Sequence, residues 1–542
     1  MGALRRTFAN GTRVVRRVAL GRVFAADSGN WIVLDIEGDL AERSHIGFGR
    51  PSTLGLLDTL RCIEAAGDDH RVDGVLLRLR GNIGRFSHAL SLRRALGELR
   101  AKGKRVAVFA ESMAAFPYLV ATAADRIWMP ESGNLFLVGL RTERYYLRDV
   151  LDRIGAKPEV VHVGKFKSAG ETFTRDSMSD EEREQVESWQ ADVWEDLVTG
   201  IALGRSLEPS TVRDLIDTGP YSAAAAVETG LVDALVYADE IEKRLEPLAR
   251  APRPGARGPR RVHLLPAVDY FLAHVMDPGF VPIFRDRPAL VYLLAEGGVR
   301  SGEGFRGITS GGMGGLLAAL REDPRVRGVA LRIDSGGGDA LASDLIHRRV
   351  EQLGREKPVV VSMGEVVASG GYYIAAAADQ VFAESGTVTG SIGVVGGKIN
   401  LAGVYERLGI SKEGVQQGAR AGMLSEARGF NSDERAAVRR EMQAIYGTFL
   451  DRVAKGRSKS REDVEKIAQG RIWSGRRAQA LGLVDALGGP LEALRDLATR
   501  AGLQPHERYT LALLPRVPRL PEWAGMLFGT TGSWKAGRGM LR

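Results

Sequence analysis

The chain repeats itself, and the repeat limits what it can fold into. Arg71–Arg80 reads RVDGVLLRLR and Arg325–Asp334 reads RVRGVALRID, setting Gly74 against Gly328 at an offset of 328 − 74 = 254. The same offset carries Ala121 and Asp125 of ATAADRIWMPESG onto Ala375 and Asp379 of AAAADQVFAESG. Further on, GLVDAL at Gly230–Leu235 returns at Gly482–Leu487, offset 252. An offset this steady makes the chain two copies of one domain. Its 542 residues also exceed what one hydrophobic core usually supports.

Each copy opens on an apolar strand, IVLDIEG (Ile32–Gly38) or ALVYLLAEG (Ala289–Gly297). An amphipathic helix, a strand, another helix and a strand follow in both. Strands alternating with helices predict α/β units with a largely parallel sheet. The segment APRPGARGPRR (Ala251–Arg261) is too rich in Pro, Gly and Arg to pack a core and reads as a linker. The expected organisation is a basic leader 1–28, an N-terminal copy 29–250, the linker 251–261, a C-terminal copy 262–505 and a tail 506–542.

The copies differ where chemistry would reside. The second copy runs from a strand into DSGGGDA (Asp334–Ala340), where the first has RGNIGRF and only Gly84 matches, to Gly338. The second copy also has ASGG at Ala368–Gly371, between a strand and an Ala-rich segment. That pattern resembles a nucleophile elbow, with a serine at a helix start and the Gly370 amide facing the same space. At offset 254, Ser369 falls on Ala115. The converse holds for VHVGKFKSAGETFTRDSMS (Val161–Ser179): Gly164 matches Gly418, while Lys167 falls on Ala421. One copy has the serine without the lysine and the other the lysine without the serine, the pattern expected of one composite site.

The blocks GKFKSAGETFTRDSMS, SMGEVVASGGYYIAAAADQVFAESGTVTGSIGV and RIWSGRRAQALGLVDALGG resemble signal peptide peptidase A in its long, two-copy form, over about residues 30–505. The resemblance implies two tandem domains of the Clp protease/crotonase kind and a serine protease acting through a Ser/Lys dyad. It assigns the nucleophile to Ser369 and the general base to Lys167, with Ser391 in TGSIG orienting the lysine. It implies no cofactor or metal, peptide substrates drawn from signal peptides or membrane-protein fragments, and a homo-oligomeric ring, with a tetramer among the candidates. Two departures stand out. Asp334-Ser335-Gly336-Gly337-Gly338-Asp339 occupies the place where the family usually has Asn-Ser-Pro-Gly-Gly-Ser, and the N-terminal anchor of many long-form members is not seen.

The chemistry sets its own conditions. A serine hydroxyl attacks only once a base takes its proton. A lysine serves only when neutral, so its pKa must fall through burial, by about three units. The oxyanion would be held by the amide of Gly370 and one from Gly337 or Gly338. Ser369 and Lys167 are expected within about 3 Å, brought together by side-by-side docking of the copies.

Other features narrow the alternatives. Cys62 is the only cysteine, which excludes an internal disulfide and a Cys-pair redox motif. His162 and His347 fall in no Ser-His-acid arrangement. The net charge of +8 is dispersed apart from the leader, with no nucleic-acid-binding motif, so no nucleic-acid partner is expected. The leader carries six arginines between apolar residues, and a segment of that kind can lie on an anionic membrane surface. No run of 18 uncharged apolar residues occurs, so the expected localisation is peripheral to a membrane, otherwise cytoplasmic. His263–Phe284 reads as an interfacial or oligomer-facing segment, with core packing an equal alternative. Two rival functions fit parts of the pattern: a non-catalytic peptide-binding scaffold with an altered glycine loop, and an acyl-CoA enzyme using a similar oxyanion hole.

Overall fold

The computed structural model describes residues 29–47, 50–81, 83–249, 261–276, 287–504 and 509–515. The leader 1–28, nearly all of the linker and most of the tail lie outside the described residues.

In the first half the principal elements are β1 (Gly29–Glu37), α1 (Leu56–Asp68), β2 (Val72–Arg80), α2 (Phe86–Ala101), β3 (Arg105–Ala110), α3 (Ala115–Ala121), β4 (Arg126–Met129), α4 (Arg148–Ile154), β5 (Lys157–Val163), α5 (Asp180–Arg205) and β6 (Ala234–Leu235). Then come β7 (Val262–Pro266), β8 (Ala289–Glu296), α6 (Ser310–Glu322), β9 (Val326–Ser335), α7 (Ala340–Gly354), β10 (Val359–Ala368), α8 (Gly370–Ala375) and β11 (Gln380–Ala383). The chain continues through β12 (Val388–Gly390), β13 (Val394–Asn400), α9 (Ala402–Leu408), α10 (Ser432–Gly456) and β14 (Ile472–Ser474). Strands and helices alternate in both halves as the sequence predicts.

Two compact units divide the chain, and they are a different division from the two copies. One takes the described residues within 1–140, 193–290 and 488–511; the other takes those within 141–192, 291–487 and 512–542.

The first unit is built on a parallel sheet ordered β6-β4-β3-β2-β1-β7. Trp31, Ile32, Val33 and Leu34 are buried in succession. A continuous apolar run of this kind marks a strand covered on both faces. Of the two readings of His263–Phe284, its described part follows core packing: β7 pairs with β1, and Tyr270, Phe271 and Leu272 are buried in this unit. Their apolar side chains find more surface to bury against α1 and β1 than they would at a surface.

The second unit carries the sheet β14-β12-β10-β9-β8, with β11 also paired to β10. Leu331, Ile333, Val361 and Met363 meet Tyr446, Phe449, Leu450 and Val453 of α10 in its core. Helix α10 starts where Asn431 and Glu434 cap each other: Asn431 Oδ1 accepts from the Glu434 amide at 2.8 Å, and the Asn431 amide donates back to Glu434 Oε2 at 3.0 Å.

One strand of the first copy is built into this second unit. Strand β5 pairs antiparallel with β13, Val163 opposite Val394 through Lys157 opposite Asn400. Side-by-side docking of two separately folded copies is therefore replaced by an exchange: residues 141–192 leave their own copy and complete the unit that holds the other.

Candidate active site

Strand β10 ends at Ala368, and the next residue turns sharply. Ser369 has φ 53° and ψ −120°, a backbone setting few non-glycine residues adopt, before α8 begins at Gly370. Its amide donates to Gly390 O at 2.9 Å, tying the turn to the end of β12. The hydroxyl caps no helix and is left to face other groups. Ser391 follows β12 with a similar φ of 51°, its amide donating to Arg471 O at 2.7 Å. Both hydroxyls stand on strained turns held by backbone hydrogen bonds, the kind of conformation that collects at functional sites.

Lys167 lies just beyond β5, on a turn pressed against the second copy. The Phe166 amide donates to Gln469 O at 2.8 Å. A Cβ on Gly470 would stand 2.6 Å from Lys167 Cβ. The lysine is 6% exposed. Its Nζ lies 3.0 Å from Ser369 Oγ, 2.9 Å from Ser391 Oγ and 3.0 Å from Ser391 O. Burial brings its pKa down from 10.5 to about 8, because a charge loses hydration there. Lys165 plays no part in this shift. It is 64% exposed and lies 3.7 Å from Glu181.

The three sequence-selected glycines surround the same serine, and they are not equivalent. The Gly337 amide donates to Ser335 Oγ at 3.1 Å. Among the described residues the amides of Gly338 and Gly370 have no acceptor. Gly338 has φ 152°, and a Cβ there would stand 2.1 Å from Val299 O. A Cβ on Gly370 would stand 2.4 Å from Ser343 Oγ and 3.2 Å from the Gly338 nitrogen. Two free amides next to a serine hydroxyl can hold a developing oxyanion.

Asp339, one of the departures in this loop, caps α7. Its Oδ1 accepts from the Ala342 amide at 2.6 Å and from Ser301 Oγ at 3.2 Å. Its charge is thereby engaged at a helix N-terminus. The histidines stand apart from these groups: His162 Nδ1 lies 3.2 Å from Gly164 O, and His347 is buried with Tyr373 across its ring.

The sequence reading passed over Gln185. It projects from α5 into the base of the lysine turn and is 3% exposed. The signal was present in the comparison of copies. Glu182 and Glu434 occupy equivalent positions in the first turns of α5 and α10, at offset 434 − 182 = 252, and that offset sets Gln185 against Ala437.

Similarity to known proteins bears on this geometry. The sequence model of Peptidase family S49 matches residues 98–251 and again 351–504. The chain is 30% identical over 494 residues to the chloroplastic serine protease SPPA of Arabidopsis thaliana, covering 90% of this chain and 72% of that protein. It is 30% identical over 464 residues to Protease 4 of Salmonella typhi, covering 83% and 72%. Among solved structures, ClpP1 from Listeria monocytogenes matches 38% of this chain and 94% of its own at 18% identity, with a TM-score of 0.24.

Proposed function

Because the chain belongs to peptidase family S49 and holds two tandem copies of that family's domain, we propose that it is an endopeptidase working through a Lys167–Ser369 dyad. The observation that carries this reading is the buried Nζ with three oxygens around it. A neutral amine has two N–H donors and one lone pair. Donation to Ser391 O and Ser391 Oγ uses both donors and turns the lone pair toward the Ser369 hydroxyl. Lys167 then takes that proton as Ser369 Oγ attacks the scissile carbonyl. The amides of Gly370 and Gly338 hold the oxyanion, and Lys167 passes the proton to the leaving amine. Water, deprotonated by the same lysine, releases the acyl group from Ser369. Labelling by a serine-reactive fluorophosphonate tests this reading. Wild type should be labelled at Ser369, and Ser369→Ala should not; an unlabelled wild type would favour the scaffold reading.

The substrates we infer are extended apolar peptides, such as cleaved signal peptides and membrane-protein fragments, on the strength of the sequence blocks that carry the resemblance. No helix among the described residues is long and apolar enough to cross a membrane. Membrane association, if it rests on the arginines between positions 5 and 22, should be electrostatic. Binding to vesicles containing anionic lipid should fall steeply between low salt and about 0.5 M, as the charges are screened; binding indifferent to salt would sink that reading.

The exchange of β5 also bears on assembly. At offset 254 the counterpart of β5 is 411–417, and that of β13 is 140–146. Both stretches belong to no strand, and Tyr145 and Val415 are 84% and 103% exposed. A joint that takes one strand from each copy leaves the other two edges open. Pairing 411–417 of one chain with 140–146 of the next extends the same joint head to tail, and such contacts make a ring where the rotation between chains closes. Val415→Pro removes a ladder donor at that edge. By light scattering it should convert the wild-type oligomer to single chains, and an unchanged mass would rule out this joint.

A further inference from the structure

Among the described residues, the buried Gln185 side chain is hydrogen-bonded on both sides of the lysine. Its Nε2 donates to Phe166 O at 3.2 Å and to Ser168 Oγ at 3.1 Å, the residues immediately before and after Lys167. Its Oε1 accepts from the Ile472 amide at 3.0 Å. Ile472 opens β14, whose partner across the ladder is Gly390 of β12. Gly390 O receives the Ser369 amide, and Arg471 O, one residue before Ile472, receives the Ser391 amide. A single planar amide thus joins the turn that carries Lys167 to β14, which is tied to Ser391 through Arg471 O just before it and reaches Ser369 through its pairing with Gly390 of β12.

We propose that Gln185 is a positioning residue that sets Lys167 Nζ between Ser369 and Ser391, a role that rests on the dyad reading above. Three further observations support it. A glutamine has the two donors and the acceptor this junction needs on a rigid plane, and it carries no charge. A carboxylate at the same place would offer Phe166 O no donor and would favour the ammonium form of a nearby lysine. The repeat supplies the third: in the copy where Lys167 is replaced by Ala421, Gln185 is replaced by Ala437. The lysine turn loses its amide clamp in the same copy in which it loses its lysine. Packing alone gives no reason for that pairing, because Val186 and Val438, one residue on, are buried in both copies.

The test compares Gln185→Met, which keeps length and volume without the hydrogen bonds, with Gln185→Glu. Peptidase turnover, the pH dependence of fluorophosphonate labelling and thermal unfolding are measured on the same full-length samples. A base displaced by about 1 Å costs on the order of 10²-fold, so kcat should fall about 10- to 100-fold with KM nearly unchanged. The midpoint of labelling against pH should move upward in both variants, further in Gln185→Glu, because a loosened lysine regains water. A midpoint that stays in place while unfolding temperature and activity fall together would make Gln185 a packing residue and overturn the proposal; so would unchanged turnover in Gln185→Met. If that variant does not fold, Gln185→Asn, whose amide is one methylene too short to span the junction, must show the displaced midpoint or the proposal fails. Labelling of wild type that persists in Lys167→Ala would sink the dyad itself, a result distinguishable from either.

Discussion

Replacing Ser369 or Lys167 by alanine is expected to lower kcat by about 10⁴- to 10⁶-fold, with the double variant scarcely worse than either single one. The non-additivity follows from the geometry. With Nζ 3.0 Å from Ser369 Oγ, each group of the proposed dyad acts only through the other, so removing the second has little left to remove. Ser369→Ala removes a single hydroxyl and should hold its unfolding temperature, whereas Lys167→Ala empties the space of a buried side chain and should melt somewhat lower while remaining folded. Turnover and melting of the four proteins decide the matter, and near-full turnover in Lys167→Ala at neutral pH would assign the base elsewhere. The pH profile carries the same commitment. Because the base must be neutral and burial brings its pKa to about 8, kcat/KM should rise through about pH 8 and level off above it. Linkage gives the sign for stability. The unfolded lysine stays protonated up to about 10.5, whereas the folded one loses its proton near 8. Between those values the unfolded chain binds more protons, so stability should rise with pH, by roughly 3 kcal/mol in all. Lys167→Ala should lack that increment.

Gly338→Ala is expected to cost at least about 10²-fold in kcat, the loss typical of one oxyanion donor. Two effects act together. At φ 152° an alanine is strained, and its Cβ would stand 2.1 Å from Val299 O, so the loop must shift and carry its amide away from Ser369. The strain itself is worth on the order of 1–3 kcal/mol of stability. Gly336→Ala provides the contrast, because a Cβ there meets nothing within 4 Å. It should retain most of its turnover. Equal losses in the two variants would argue against a special role for the Gly338 amide.

Much of this was legible in the residues. Apolar runs such as Trp31–Leu34 and Val359–Val361 mark buried parallel strands because burial on both faces demands apolar side chains throughout. Ser369 announced itself by the small residues around it, and Lys167 by its absence from the other copy. The roles of Gly337 and Gly338 could not be separated in the same way, because adjacent glycines carry no side chain to say which amide is occupied. It took the Ser335 hydroxyl, folded back on Gly337 at 3.1 Å, to leave Gly338 free. Gln185 was overlooked because a glutamine in a charged helix looks like a solvated surface residue; only the fold shows that it is 3% exposed.

The sequence by itself determined that there are two copies of an α/β domain, and that Ser369 and Lys167 lie in different copies, each without a counterpart in the other. Only the tertiary structure decided how the two come together. Strand β5, KPEVVHV, pairs with β13 through backbone N–H and C=O groups. Every residue but proline carries those groups in the same form, so no side chain encodes which edge a strand will join. The fold groups residues 141–192 with the second unit, where Lys167 lies beside Ser369.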